Sequence, residues 1–180
     1  MNVAITGASG LFGGALVRVF RARHTVTPVT HRDMDITDSK QVRETISGLR
    51  PEVVIHTAAI RDPDTCEVNP AQAFLVNFHG TRQVMEAASH AGARMAYIST
   101  DSVFDGKKET PYRESDAAIP ASVYGRTKLR AERLVLARPE SWAFRVSILF
   151  GPTGDSGRGK PKGTSLAKAC ISLLRVRNTS

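Results

Sequence analysis

A short apolar run, Val3-Ala4-Ile5, leads without a break into Thr6-Gly7-Ala8-Ser9-Gly10-Leu11-Phe12-Gly13, and no other stretch limits the folds open to this chain so tightly. The run predicts a buried strand and the glycines a tight turn. The residues after them predict an amphipathic helix, with Phe12, Leu16, Val19 and Phe20 at i, i+4, i+7 and i+8 on one face. Gly7 suits the turn out of the strand, Gly10 lets a diphosphate approach the backbone without meeting a Cβ, and Gly13 lets the helix pack close to a sheet. The free amides of the first helical turn then face the anion. A glycine triplet alone is weak, because a ligand-free turn has the same composition; the strand before it and the helix after it make it a nucleotide-binding signature.

The rest of the chain repeats the alternation. Thr25 to Val29 predicts a second strand, Asp38 caps a helix carrying Val42, Ile46 and Leu49 on one face until Pro51, and Glu52 to His56 predicts a third strand ending in the small residues Thr57-Ala58-Ala59. A long helix is expected over 70–92 with Phe74, Phe78, Met85 and Ala88 inward. A fourth strand follows over 95–99, then a polar loop over 101–119, a helix over 122–137 and a fifth strand over 142–150. Five strands alternating with four helices imply an α/β fold, a doubly wound parallel sheet of Rossmann type covered on both faces, with right-handed crossovers. Ligands of such sheets bind outside the carboxyl ends of the strands, so Gly7, Ala58, Ser99 and Thr100 are expected at one crevice.

Composition narrows the setting. The chain has 180 residues, enough for one domain with a sizeable core. No apolar run approaches the roughly 20 residues of a membrane span, and Met1 leads directly into a strand, so an unexported, cytoplasmic protein without a membrane partner is expected. Cys66 and Cys170 are far apart and neither has a Cys or His at ligand spacing, which predicts neither a disulfide nor a metal site. Of the net charge of +8, +5 comes from residues 151–180, with six Lys/Arg against one Asp. The basic segment lacks interleaved aromatics, so no nucleic-acid partner is expected. The organisation read here is a dinucleotide-binding domain over 1–150 and a basic, glycine-rich tail over 151–180, poorly ordered or with one short helix over 166–176.

The strand-end loop Thr30-His31-Arg32-Asp33-Met34-Asp35 falls where a dinucleotide fold meets the adenosine ribose. His31 and Arg32 come first, which favours the 2′-phosphate of NADP(H) with Arg32 as a cofactor residue; Asp33 keeps NAD(H) open. Tyr124 and Lys128 are four apart on a predicted helix and so share a face. An ammonium beside a phenol is expected to draw its pKa down towards the neutral range, making Tyr124 a proton donor to a carbonyl that receives hydride. Thr100 would hold the carbonyl oxygen.

Thr-Gly-Ala-Ser-Gly-Leu-Phe-Gly over 6–13, Asp-Met-Asp-Ile-Thr-Asp over 33–38, Ser-Thr-Asp-Ser-Val-Phe-Asp-Gly over 99–106 and Tyr-Gly-Arg-Thr-Lys over 124–128 resemble the extended short-chain dehydrogenase/reductases, specifically the dTDP-4-dehydrorhamnose reductase group. The resemblance covers residues 1–152. It implies NADPH- or NADH-dependent reduction of the C4 ketone of a nucleotide-linked 4-keto-6-deoxyhexose, with Thr100, Tyr124 and Lys128 as the catalytic set. It also implies that Gly7, Ser9, Gly10, Leu11, Asp35, Ile36, Ala58 and Ala59 line the cofactor, and that Asn77 supports the active-site helix. The group usually carries an aromatic where this chain has Ser102, which leaves the sugar open. Family members continue for roughly another hundred residues that build the substrate lobe, so this lobe is expected to be largely missing and the chain, read as truncated, to turn over nucleotide sugar poorly. Two alternatives remain: a non-catalytic NADP-binding regulatory subunit, since that of methionine adenosyltransferase is similar over 99–128, and a nucleotide-sugar epimerase or dehydratase, for which Asp101 is the one acid-base candidate in the strand-end loop. A nucleotide-sugar substrate is the expected partner, and a homodimer is left open.

Overall fold

A computed structural model describes residues 1–147. The elements follow in the order β1 (Asn2–Thr6), α1 (Leu11–Phe20), β2 (Thr25–Val29), α2 (Ser39–Leu49), β3 (Val53–His56), α3 (Pro63–Val68), α4 (Pro70–Phe74), a π-helical turn (Leu75–Gly80), α5 (Thr81–His90), β4 (Arg94–Thr100), a 3-10 turn (Asp101–Val103), α6 (Val123–Leu136) and β5 (Trp142–Val146). The strands form one parallel sheet in the order β2-β1-β3-β4-β5. Strand order reverses between β1 and β3, and the crevice at their carboxyl ends is where such sheets bind ligands. This is the doubly wound parallel α/β architecture that the alternation predicts.

Period-two alternation sorts the strand residues between two cores. Ala4, Val54, Met95 and Tyr97 pack with Val42, Ile46, Val84 and Val135 of α2, α5 and α6, while Val3, Ile5, Val53, Ile55 and Ala96 pack against Leu16, Val17 and Phe20 of α1. A strand flanked by helices on both faces has no solvent side, which is why β1 and β3 read as continuous apolar runs. Caps set the helix starts. Asp38 accepts from the amides of Lys40 and Gln41 at 2.9 and 3.1 Å, and Ser122 from that of Gly125 at 3.0 Å. Gly92, at φ +70°, ends α5.

One expectation is corrected. The single helix over 70–92 is three segments, because the π turn at Leu75–Gly80 swings Asn77 inward to reach the Ile60 backbone and Thr127. That rotation leaves Ala73, Asn77, Gly80 and Val84 buried, with Phe74 and Phe78 half-buried under the Arg130 guanidinium. Helix α3 is new, capped by Asp62 with Pro63 at its first position. The fifth strand runs to Val146 within the described residues; its expected continuation over 148–150, the whole of 151–180 and Cys170 lie outside them.

Candidate active site

The turn between β1 and α1 is built by contacts that tolerate no side chain. Gly7 has φ +68°, and a Cβ there would sit 2.7 Å from the Ala58 nitrogen and 2.7 Å from Thr57 Oγ1. A Cβ on Gly13 would run into the Gly7 carbonyl. Gly10 differs: its amide donates to the Gly7 carbonyl at 3.0 Å, and an added Cβ would meet only that oxygen, at 3.2 Å. Thr57 Oγ1 pins the turn by donating to the Thr6 carbonyl at 2.7 Å. No side chain caps the first turn of α1, so its amides face outward unpaired by any side chain, as an anion site requires.

A cleft of about 710 Å³ opens over this turn, a size common for cofactor sites. It is lined by Gly7, Ser9, Gly10, Leu11 and Gly13 from the turn, by Asp35 and Ile36 after β2, by Ala58 and Ala59 after β3, and by Tyr124 and Lys128 of α6. Arg32 is not among its walls; His31 is. The reason is local: Asp33 accepts from Thr30 N and Oγ1 at 2.8 and 2.7 Å, folding the loop so that His31 faces the cleft and Arg32 solvent. Those bonds hold the Asp33 carboxyl below its usual range. Asp35 is the carboxylate on the cleft wall, lowered by two bonds from Thr37 and by the nearby His31.

At the opposite end Lys128 is 4% exposed, and its Nζ donates to the Ile98 carbonyl at 2.6 Å while lying 4.3 Å from the centroid of the Tyr97 ring. Burial lowers this ammonium to about 7, against the pull of Glu132. The expectation that Lys128 draws the Tyr124 phenol down is corrected: burial pushes Tyr124 up, with the neighbouring Thr100 hydroxyl and Arg61 working the other way. The ammonium is engaged with β4 and is not among the groups acting on the phenol. Thr100 itself is buried and off the cleft wall, its Oγ1 accepting from Ser102 N at 3.1 Å as the cap of the 3-10 turn. Gly125 allows that turn to approach α6, since a Cβ would overlap the Ser102 carbonyl.

A buried relay fixes α6 to the sheet. Thr6 Oγ1 lies 2.7 Å from His56 Nδ1, His56 Nε2 is 3.0 Å from Thr81 Oγ1, and Thr81 donates to the Asn77 carbonyl at 2.7 Å. With the Thr81 proton so used, His56 carries its hydrogen on Nε2 and accepts from Thr6. Burial holds it neutral, at about 3. Asn77 Nδ2 then donates to Thr127 Oγ1 at 3.1 Å, and Thr127 to the Tyr124 carbonyl at 2.7 Å. Asn77 thus reaches the active-site helix as the resemblance implies.

A family model described as the RmlD substrate binding domain matches residues 1–162. The chain belongs to that family. This RmlD family member is similar to dTDP-4-dehydrorhamnose reductase of Aggregatibacter actinomycetemcomitans, 36% identical over 158 residues, covering 86% of this chain and 54% of that protein. It is also similar to methionine adenosyltransferase 2 subunit beta of Xenopus tropicalis, 36% identical over 156 residues, covering 82% and 46% respectively. The dTDP-4-dehydrorhamnose reductase of Bacillus anthracis, solved in complex with NADP, superposes with a TM-score of 0.81 at 33% identity, covering 85% of this chain and 55% of that one. The chain spans about half the length of the curated relatives it matches.

Sequence reasoning missed Arg61 and Gln72, which also line the cleft of this RmlD family member. Arg61 follows the small residues at the end of β3 and could have been found as the first cation after them. It also missed Glu132 and Arg145, a buried carboxylate and a half-buried guanidinium paired at 2.6 Å behind Ser99. Among the described residues no helix is long and apolar enough to cross a membrane, and no group of three or more His, Cys, Asp or Glu is placed to hold a metal.

Proposed function

We propose that this chain binds NADP(H), with NAD(H) as the weaker alternative, and serves in reduction of the C4 ketone of a nucleotide-linked 4-keto-6-deoxy sugar. The observation that carries this reading is the sharing of one cleft by the glycine turn and the Tyr124–Lys128 pair. The residues fit a dinucleotide. Gly10 and the first-turn amides of α1 would hold its diphosphate, His31 and Asp35 its adenosine end, and Ala58 and Ala59 leave room for its middle. When bound, the reduced nicotinamide supplies the hydride.

The chain's own residues do the rest. Tyr124, with its phenol pushed up by burial, keeps its proton at neutral pH and delivers it to the ketone oxygen as negative charge develops there. Thr100, beside that phenol, orients its hydroxyl. Lys128, near its midpoint at neutral pH, fixes the helix that carries the phenol by donating to the Ile98 carbonyl of β4. Similarity to a dTDP-4-dehydrorhamnose reductase supports the sugar class.

The similarity to methionine adenosyltransferase 2 subunit beta favours a second reading, a dinucleotide-binding regulatory subunit. A steady-state assay of the full chain with dTDP-4-dehydrorhamnose and NADPH, beside a calorimetric NADPH titration, separates the two. Turnover with binding supports the reductase and counts against the regulatory subunit; binding with little or no turnover fits the regulatory subunit or a reductase short of its substrate lobe; no binding overturns both.

A further inference from the structure

One helical turn beyond Lys128 lies Glu132, a carboxylate only 2% exposed. Ser99 Oγ donates to its Oε2 at 2.6 Å, Arg145 Nη2 to its Oε1 at 2.6 Å, and Arg145 Nε lies 3.1 and 3.2 Å from the two oxygens. Burying such a carboxylate is not in itself stabilising, because its desolvation offsets the attraction of the half-buried Arg145, so its position calls for a reason. The position is specific. Lys128 grips the Ile98 carbonyl and Glu132 the Ser99 hydroxyl, so two successive residues at the cleft end of β4 are held by two successive turns of α6. Arg145 reaches outward as well. Its Nη1 donates to the Glu114 carbonyl at 3.3 Å and its guanidinium lies 4.9 Å from the centroid of the Phe104 ring, both in the loop between β4 and α6.

We propose that Glu132 is a positioning residue of this site: it clamps the Ser99 end of β4 to α6 and supplies Lys128 with a fixed, buried counter-charge, while Arg145 ties the same carboxylate to the 101–122 loop. The inference rests on the reading of Lys128 as a cleft residue that works as a cation. The groups around that cation are few. Tyr97 of β4 lies under it, and His56 of β3, held neutral, stacks on Tyr97. Arg145 of β5 is bonded to Glu132, one turn further along the helix. Asp101, Cys66 and Arg61 bear on Tyr124, and Glu67 of α3 on the Val123 amide at the start of the helix. Glu132 is therefore the charge that offsets the burial of Lys128.

The test titrates Lys128 directly in the full chain, by the pH dependence of the Cε signal in protein labelled with 13C-lysine, assigned with Lys128→Arg. Glu132→Gln is expected to move the Lys128 midpoint down by about one unit or more, and Glu132→Asp, which keeps the charge, to restore most of that shift. An unmoved midpoint in Glu132→Gln, or equal displacement in both variants, overturns the proposal. Should Glu132→Gln fail to fold, Arg145→Met leaves the carboxylate with one cation fewer to share and is expected to move the Lys128 midpoint up, and an unmoved midpoint there refutes the proposal equally. The titration needs neither cofactor nor substrate, so a chain that fails to bind NADPH would sink the functional reading and leave this result standing.

Discussion

Substituting Gly10 and Gly7 separately by alanine divides the phosphate-binding role of the turn from its structural one. At Gly7 the backbone is left-handed, which costs an L-residue about 1–2 kcal/mol, and the new Cβ lies 2.7 Å from a backbone nitrogen and 2.9 Å from a backbone Cα, neither of which can rotate away. Displacing packed main chain adds about 1–3 kcal/mol, for a total of about 2–5 kcal/mol. At roughly 2–4 °C per kcal/mol for a chain of this size, Gly7→Ala is expected to melt about 5–15 °C below the parent. Gly10 has φ −77° and ψ 164°, which alanine adopts freely, and its Cβ would touch one oxygen at 3.2 Å. Its loss as a helix cap and the entropy it removes from the unfolded chain are of similar size, so Gly10→Ala is expected to stay within about 1 kcal/mol of the parent. The new methyl nonetheless stands where a diphosphate would meet the backbone. A steric penalty of about 1–3 kcal/mol there corresponds to roughly 5- to 150-fold weaker NADPH binding. Chemical denaturation and calorimetric titration of both variants provide the comparison. Full NADPH affinity in Gly10→Ala would refute the assignment of the turn as the phosphate site, and parental stability in Gly7→Ala would refute the steric argument.

Three further outcomes follow from the same geometry. Tyr124→Phe is expected to leave NADPH affinity nearly intact while ketone reduction falls by about 100-fold or more, the scale of a lost general acid; surviving activity would make Tyr124 a structural residue. His31→Ala is expected to reduce the preference for NADPH over NADH more than Arg32→Ala, because His31 and not Arg32 faces the cleft; fluorescence titration of both cofactors reads this, and a larger effect from Arg32 would reverse the assignment. Lys128 is lowered in the fold from 10.5 to about 7, so between those values the unfolded chain binds more protons and stability rises with pH, being lost as pH falls towards 7. Urea midpoints at about pH 7 and pH 9.5 are expected to differ more for the parent than for Lys128→Met, and equal slopes would contradict the burial of a titrating ammonium.

Much of the fold was legible because parallel strands buried on both faces leave continuous apolar runs, and because Asp38 and Ser122 announce the starts of α2 and α6. The glycine turn and the helical spacing of Tyr124 and Lys128 were likewise readable, and the fold brings them to one cleft. What was not legible depends on contacts made at a distance. The π turn has no periodic signature; it carries Asn77, which bonds the Ile60 backbone and Thr127 at once. Helix α3 is too short to show a period, although Asp62-Pro63 is a start signal that could have been read. Whether His31 or Arg32 faces the cleft is decided by how Asp33 folds back on Thr30, a choice composition does not express. The Glu132 carboxylate lies at helical spacing from Lys128, but its partner Arg145 comes from a strand 13 residues away, and only the folded chain brings them together.

The central claim, that this cleft delivers hydride to a C4 ketone with Tyr124 as the proton donor, is tested most directly by following the label. The full chain is mixed in a single turnover with dTDP-4-dehydrorhamnose and NADPH carrying deuterium on the reactive nicotinamide carbon, and the product is examined by mass spectrometry and NMR. Deuterium is expected at C4 of the sugar with the parent chain, and almost none in the same interval with Tyr124→Phe. Absence of deuterium from the product of the parent, or equal incorporation by parent and variant, would contradict it.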